Sequence, residues 1–76
     1  MWIKKALNRE QVSSSNLLEV GYSPDTETLE ILFKSGGLYR YYGVPETVYS
    51  QLMGSSSLGS FFYNNIRKEY RWEKVQ

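Results

Sequence analysis

The chain of 76 residues contains no cysteine and no histidine. Without cysteine it can form no disulfide, so its folding does not depend on the redox state of a compartment. The two missing residue types also supply most of the ligands for zinc, copper and non-haem iron, so we expect no metal site and no cofactor. Histidine is the commonest general base in enzymes, and its absence lowers the expectation of catalysis.

Long apolar runs are missing as well. No segment approaches the ~20 consecutive apolar residues that a membrane-spanning helix needs. The first residues, MWIKKALNREQ, carry two lysines with no apolar segment behind them, unlike a signal peptide. We therefore expect a cytoplasmic protein without a membrane partner. The serines have neither a histidine partner nor a Ser-x-x-Lys spacing, so we predict no catalytic residues and no enzymatic activity.

The chain also lacks a large excess of charge of either sign, since the formal net charge is only +1. A nucleic-acid-binding domain is usually clearly basic, so this value argues against a strong general attraction to nucleic acid. The charges are nevertheless uneven: residues 11–30 hold four carboxylates and no base, whereas 1–10 and 51–76 carry a net positive charge. That distribution fits either one basic face or an ordinary mixed surface.

Aromatic side chains are what the chain has in plenty, with seven tyrosines, three phenylalanines and two tryptophans. Each can bury roughly 150–250 Å², so a few of them can build the core of a small domain. The segment GGLYRYYGVP (36–45) holds three tyrosines within four positions. Whether these rings fill the core or contact a ligand is the main functional question.

Three segments alternate apolar and polar residues in the manner of strands: 17–22, 28–34 and 38–44. They are separated by the turn segments SPDTE (23–27) and SGG (35–37), which favours an antiparallel meander. A three-residue SGG loop would place Phe33 opposite Tyr39 and Ile31 opposite Tyr41. Tyr39 and Tyr41 would then lie on the apolar face, but a shift of one residue would move them to the other face.

Two short helices are predicted after the meander. Pro45 suits the first position of the first helix, and Gly54 is a natural stop. The serines at 55–57 offer hydroxyl caps for the second helix. Its core-facing stripe is formed by Leu58, Phe61, Phe62, Asn65 and Ile66.

These elements predict an α+β fold: a three-stranded antiparallel meander with two short helices packed on one face. Residues 71–75 alternate weakly, so a terminus can add one extra short strand. The chain divides into an N-terminal arm (1–12), a domain (13–70) and a C-terminal strand or tail (71–76).

An ordered series of short motifs runs through residues 13–70. It comprises Val20-Gly21-Tyr22, Tyr39-x-Tyr41, Val44-Pro45, Ser57-x-Gly59-x-Phe61-Phe62, Asn65-Ile66-Arg67 and Tyr70. The series resembles the KTSC domain family, which is named for its place at the C-terminus of some lysyl-tRNA synthetases and includes small stand-alone and phage-type proteins. Gly54 departs from the alanine common in that family. The resemblance implies the fold. The family has no established activity, but its occurrence in lysyl-tRNA synthetases suggests RNA binding.

Two interpretations of the tyrosine strand stay open. In one, Tyr39 and Tyr41 pack under the helices with their hydroxyls at the rim. In the other, the tyrosines stack on unpaired bases while Arg40 contacts a phosphate or a base. Tyr42 shares a face with Arg40, so we expect it to be more exposed than either of the other two rings.

The second helix offers further candidate site residues, and each of them again has a structural and a binding interpretation. Ser57 and Gly59 open it, either as an anion-binding N-terminus or as a plain cap with close packing against the sheet. Asn65 either contacts a ligand or ties the helix to a strand or loop carbonyl. Arg67 either contacts a ligand or pairs with a surface carboxylate such as Glu69.

The preferred function is therefore a non-enzymatic RNA- or nucleic-acid-binding module that uses the tyrosine strand, Arg40 and the basic C-terminal end. The alternative is a protein-interaction module, such as a phage-type inhibitor or accessory subunit, with an exposed patch of Leu32, Tyr42 and Trp72. Pairing of edge strands would make it a dimer, and it is otherwise a monomer. A catalytic role would need a pocket lined by paired carboxylates.

Overall fold

Alternating apolar residues organise the chain into one antiparallel sheet. The computed structural model describes residues 9–76. The elements follow one another as β1 (Arg9–Gln11), β2 (Leu17–Ser23), β3 (Thr28–Phe33), β4 (Leu38–Tyr42), α1 (Glu46–Gly54), α2 (Leu58–Asn65) and β5 (Arg71–Lys74). The strands lie in chain order, each antiparallel to its neighbour. The predicted α+β class is confirmed.

The sheet has five strands, the predicted three-stranded meander and one strand from each end of the described chain, where one extra strand from a terminus was expected. β1 comes from the predicted arm, whose residues 1–8 lie outside the described part, and β5 is the weakly alternating C-terminal segment. Neither strand shows an apolar pattern, since β1 has only three residues and all four side chains of β5 are exposed. Their pairing depends on backbone hydrogen bonds, which hydrophobic patterning does not reveal.

Both helices pack on one face of the sheet. Val20, Leu29 and Ile31 point from the central strands toward Leu52 of α1 and Phe62 of α2. The complete buried cluster consists of Leu17, Val20, Leu29, Ile31, Tyr41, Val44, Leu52, Phe62 and Ile66. Full burial of one such side chain stabilises the fold by about 1.5–3 kcal/mol, so this cluster supplies most of the driving force.

The hairpin between β3 and β4 differs from its predicted register by two residues. Ile31 pairs with Tyr39 and Leu29 with Tyr41. The loop is Lys34-Ser35-Gly36 rather than SGG, since the amide of Phe33 donates to the carbonyl of Gly37. Gly36 has φ 106°, a conformation that glycine adopts at little cost. Because a two-residue shift is one full period of a strand, the predicted faces of Tyr39 and Tyr41 are correct.

The helix ends are closed by local hydrogen bonds. Pro45 is the N-cap of α1 and not its first helical residue. At the other end, Ser55 donates both its amide and its hydroxyl to the carbonyl of Leu52, at 3.2 and 2.7 Å. Gly54 is thus the last helical residue, but the serine after it closes the helix.

Candidate functional site

A cleft of about 800 Å³ opens on the helix side of the sheet, beside the C-terminal end of α2. We call it the basic cleft. Its walls are the loop before β2, the β3–β4 turn, α2 with the turn that follows it, and β5. The lining residues are Ser15, Asn16, Leu17, Phe33, Lys34, Ser35, Tyr39, Tyr41, Gly59, Phe62, Tyr63, Arg67, Lys68, Tyr70 and Trp72.

Two exposed aromatic rings belong to this cleft. Tyr63 on α2 is 59% exposed and Trp72 on β5 is 52% exposed. Trp72 is paired with Tyr41 across the strands, which turns its ring to the helix side. Its ring centroid lies 5.6 Å from that of Tyr39, and Tyr39 in turn makes an edge-on contact with Phe33 at 5.5 Å. Tyr39 therefore contacts both Trp72 and Phe33, and it connects the exposed ring to the core.

Three cations line the same cleft: Lys34, Arg67 and Lys68. The turn after α2 is fixed because the amides of Ile66 and Arg67 both donate to the carbonyl of Phe62, at 2.9 and 3.0 Å. The guanidinium carbon of Arg67 lies 4.9 Å from the centroid of the Tyr63 ring, a cation–π contact. Arg67 thus stands directly beside an exposed aromatic ring in the cleft.

Within residues 9–76, no aspartate or glutamate lines the cleft. The net charge of +1 conceals this local excess of positive charge, because carboxylates elsewhere offset it. Glu19 and Glu30 pair with Arg9 and Arg40 on the opposite face of the sheet, so neither carboxylate neutralises a cation of the cleft. The arrangement can therefore attract an anion and offer flat apolar surfaces beside it.

Tyr41 forms the floor of the cleft and is only 4% exposed. Its ring contacts Phe62 edge-on, with centroids 5.3 Å apart. Burial raises the pKa of Tyr41 to about 12, with a further rise from Tyr39 and an opposing effect of Arg67. For Tyr41 the structural interpretation is therefore correct, while half-buried Tyr39 lies both under the helices and in the cleft wall.

Arg40 and Tyr42, two other predicted site residues, point away from the cleft. Nε of Arg40 lies 2.7 Å from Oε2 of the buried Glu30, and the Arg40 side chain is 12% exposed. Tyr42 is half-buried, with the guanidinium of Arg71 5.7 Å from its ring centroid. Tyr39 is half-buried as well and Tyr41 is buried, so the expectation that Tyr42 is more exposed than the other two rings is confirmed against Tyr41 only.

Ser57 and Asn65 make hydrogen bonds within α2, whereas Gly59 makes no contact that requires a glycine. The hydroxyl of Ser57 accepts from the amide of Ser60 at 3.3 Å, which is the N-cap of α2. Gly59 lines the cleft, and a Cβ there would lie 3.7 Å from Asn16 and from Ser14, in ordinary contact. Asn65 is exposed rather than on the core stripe, and its amide donates to Phe61 of its own helix at 3.1 Å.

Arg67 is the candidate that the structure brings into the cleft with Tyr39, Tyr41 and Gly59. Instead of pairing with Glu69, it lies over Tyr63. The sequence interpretation missed Lys34 and Tyr63, and it included Lys68 only as part of the basic C-terminal end. Tyr63 had a usable signal, since it is a large aromatic residue outside the apolar stripe of α2.

The apolar patch proposed for a protein partner is not continuous. Leu32 and Tyr42 lie on the sheet face opposite the helices, whereas Trp72 lies on the helix side. Between Leu32 and Tyr42 in the sheet stand the charged side chains of Glu30 and Arg40. The prediction that these three residues form one patch is wrong. The alternation in β5 was too weak to show on which face of the sheet Trp72 lies.

Two negative findings apply to the described chain. Among residues 9–76, no helix is long and apolar enough to cross a membrane. The same stretch contains no group of three or more acidic, histidine or cysteine side chains placed to hold a metal ion.

Comparisons with known proteins agree on one family. The model of the KTSC domain matches residues 13–70. A small protein of Stutzerimonas stutzeri is 37% identical over 70 residues, which are 91% of this chain and 99% of the relative. A lysine–tRNA ligase of Nostoc is 37% identical over 54 residues, 71% of this chain but only 10% of the ligase. The crystal structure of a KTSC domain protein from Yersinia pestis superposes with a TM-score of 0.89 at 41% identity, covering 93% of this chain and 100% of that one.

Proposed function

The chain belongs to the KTSC domain family, and we propose that it is a non-enzymatic, cytoplasmic module that binds RNA in the basic cleft. One observation carries the proposal: three cations and two exposed aromatic rings share a cleft that, within residues 9–76, has no carboxylate in its lining. RNA is an anionic polymer with flat bases, so it complements both features at once.

The comparison with lysine–tRNA ligases adds support of a different kind. A segment similar to this chain makes up about a tenth of such a ligase, whose name includes an RNA. A small RNA-binding module is a reasonable component of such a protein. This support is associational, so the chemistry of the cleft carries more weight.

The proposal excludes Arg40 from the binding surface. Its guanidinium pairs with the buried carboxylate of Glu30. Breaking that pair would cost more free energy than one new contact with a phosphate would supply. The working cations are therefore Lys34, Arg67 and Lys68. If all three contact phosphates of a single strand, the logarithm of the binding constant falls with the logarithm of salt concentration with a slope of about −2.

The test is fluorescence polarisation of labelled tRNA and labelled single-stranded RNA, titrated with the full chain at several salt concentrations. The variant Arg67→Gln should weaken binding and reduce the magnitude of the salt slope by about 1. The matched control is Arg71→Gln, which removes the same charge from the opposite face, where Arg71 lies over Tyr42. It should bind as the wild type does.

Equal weakening by both variants would mean that only overall charge matters, and it would contradict binding in the cleft. No binding of either RNA at low salt would overturn the proposed function and turn the search to protein partners.

A further inference from the structure

We infer that the basic cleft takes unpaired nucleotides, with a base stacked on Trp72 and a second on Tyr63, and that it does not accept a duplex. This inference rests on the proposed function, which concerns RNA binding in general. It adds the form of the RNA and the residues that select it.

The exposure of the two rings favours stacking. A single exposed aromatic side chain on a protein surface needs no explanation. Here, among residues 9–76, the exposed large hydrophobic side chains include two aromatic ones, Tyr63 and Trp72, and both line the same cleft. Both are flat surfaces of the kind on which bases stack, and stacking tolerates any base because every base has a π face.

A duplex offers such rings little to contact. In a double helix, each base face is covered by the next base pair, so only base edges, sugars and phosphates remain accessible. Double-stranded RNA is accordingly read by its shape over long distances, about 16 bp in dsRNA-binding domains. The exposed faces of Trp72 and Tyr63 have nothing to stack on in such a ligand.

The size of the cleft also favours a single strand. A volume of about 800 Å³ lies within the range of pockets for small ligands, about 300–1,000 Å³. Such a space admits a few nucleotides and not the width of a helix. The three cations are confined to the same space, so they reach the phosphates of those few nucleotides.

Trp72 and Tyr63 have different surroundings, so we expect them to contribute differently to binding. Arg67 lies over the ring of Tyr63, whereas the ring of Trp72 is 52% exposed and lies beside the ring of Tyr39, with centroids 5.6 Å apart. A ring already fixed by its neighbours loses little freedom when a base stacks on it. Trp72 is therefore the main platform and Tyr63 the second.

The experiment uses the full chain and a labelled single-stranded RNA of about 12 nucleotides, a length within the range of known single-strand sites. The same RNA annealed to its complement is the competing form. We expect binding of the single strand and at least tenfold weaker binding of the duplex. Trp72→Ala should weaken single-strand binding by about 5- to 100-fold, and Trp72→Phe should restore most of it because a ring is present again.

Two further variants keep the result interpretable. Tyr63→Ala tests the second platform and should weaken binding less than Trp72→Ala does. Leu18→Ala truncates another exposed apolar side chain, 38% exposed and outside the cleft, and should leave binding unchanged. Circular dichroism of each variant verifies that the fold is intact.

The failures of the two proposals are distinguishable. If Arg67→Gln is weakened and either duplex and single strand bind equally well or intact Trp72→Ala and Tyr63→Ala bind as the wild type does, the stacking inference is overturned and RNA binding in the cleft stands. If neither form of RNA binds, the proposed function and this inference are both overturned.

Discussion

Glu30 and Arg40 face each other across β3 and β4, with Nε of Arg40 2.7 Å from Oε2 of Glu30. Arg9 bonds the other oxygen, Oε1, and also donates to Glu19 at 2.9 Å. The side chain of Glu30 is only 1% exposed, so its charge is compensated almost entirely by the two arginines. These four residues join four neighbouring strands, β1 to β4, on the sheet face opposite the helices.

Removing the buried charge should destabilise the protein severely. Glu30→Gln preserves the volume but leaves Arg40 without its carboxylate partner and Arg9 with Glu19 alone. Breaking a buried pair in this way costs about 3–5 kcal/mol. The measurement is the free energy of unfolding from urea denaturation. Glu19→Gln is the matched control, and it should cost about 0–1 kcal/mol because the Glu19 side chain is 26% exposed. Equal losses for the two variants would contradict the special position of Glu30.

Alkaline pH should reduce stability through Tyr41. Burial raises the pKa of its phenol from the ordinary 10.0 to about 12 in the folded protein. Below pH 10 the phenol is neutral in both states, and its full contribution is present. Between pH 10 and 12 only the unfolded state ionises, so stability falls by about 2–3 kcal/mol.

The check is the free energy of unfolding measured at several pH values across that interval. Tyr41→Phe has no titrating hydroxyl at this position, so its stability should decline less steeply. A residual decline is expected, since burial also raises the pKa values of Tyr22 and Tyr49. Parallel curves for wild type and Tyr41→Phe would refute the assignment.

The N-cap of α2 provides a local prediction. Ser57→Ala removes the oxygen that accepts from the amide of Ser60, and loss of such a cap costs about 1 kcal/mol. Ser56→Ala makes the same chemical change one residue earlier, at an exposed position, and should leave the midpoint of thermal unfolding almost unchanged. Equal midpoints of thermal unfolding for the two variants would show that the Ser57 cap does not stabilise the protein.

Two glycines should respond oppositely to the same substitution. Gly36 has φ 106°, where a side chain is strained, so Gly36→Ala should lower stability by about 1–2 kcal/mol. Gly54 ends α1 without positive φ, and a Cβ added there would meet open space, so Gly54→Ala should raise stability by up to about 1 kcal/mol. Urea denaturation of the two variants compares them directly, and a shift of the same sign in both would be inconsistent with these backbone conformations.

Local patterns were sufficient to predict the central part of the fold. The period of two in β3 and β4 placed Tyr39 and Tyr41 on the correct face, and the spacing around Leu52 and Phe62 predicted both helices. The hairpin register was wrong because SGG contains two glycines, and only the structure identifies Gly36 as the residue with positive φ.

The candidate site was harder to predict because its charges are arranged by contacts between distant residues. Arg9 reaches Glu30 across 21 positions of the sequence, and that contact has no local signature. The near-zero net charge argued against a strong general attraction to nucleic acid, and the uneven charges left one basic face and an ordinary mixed surface as alternatives. Lys34 and Lys68 are likewise separated along the chain and meet at the cleft only because β3 and α2 end at the same side of the sheet.

The position of Trp72 on β5 has a consequence for the timing of binding. All four side chains of β5 are exposed, and the strand is paired on one side only, with β4. Strands with so little buried surface open locally long before the whole domain unfolds, and their amide protons exchange early. When β5 detaches, one wall of the cleft departs with it. The apparent affinity for a ligand that stacks on Trp72 is therefore set by the fraction of molecules in which this edge strand is closed, and such a ligand protects the amides of β5 in return.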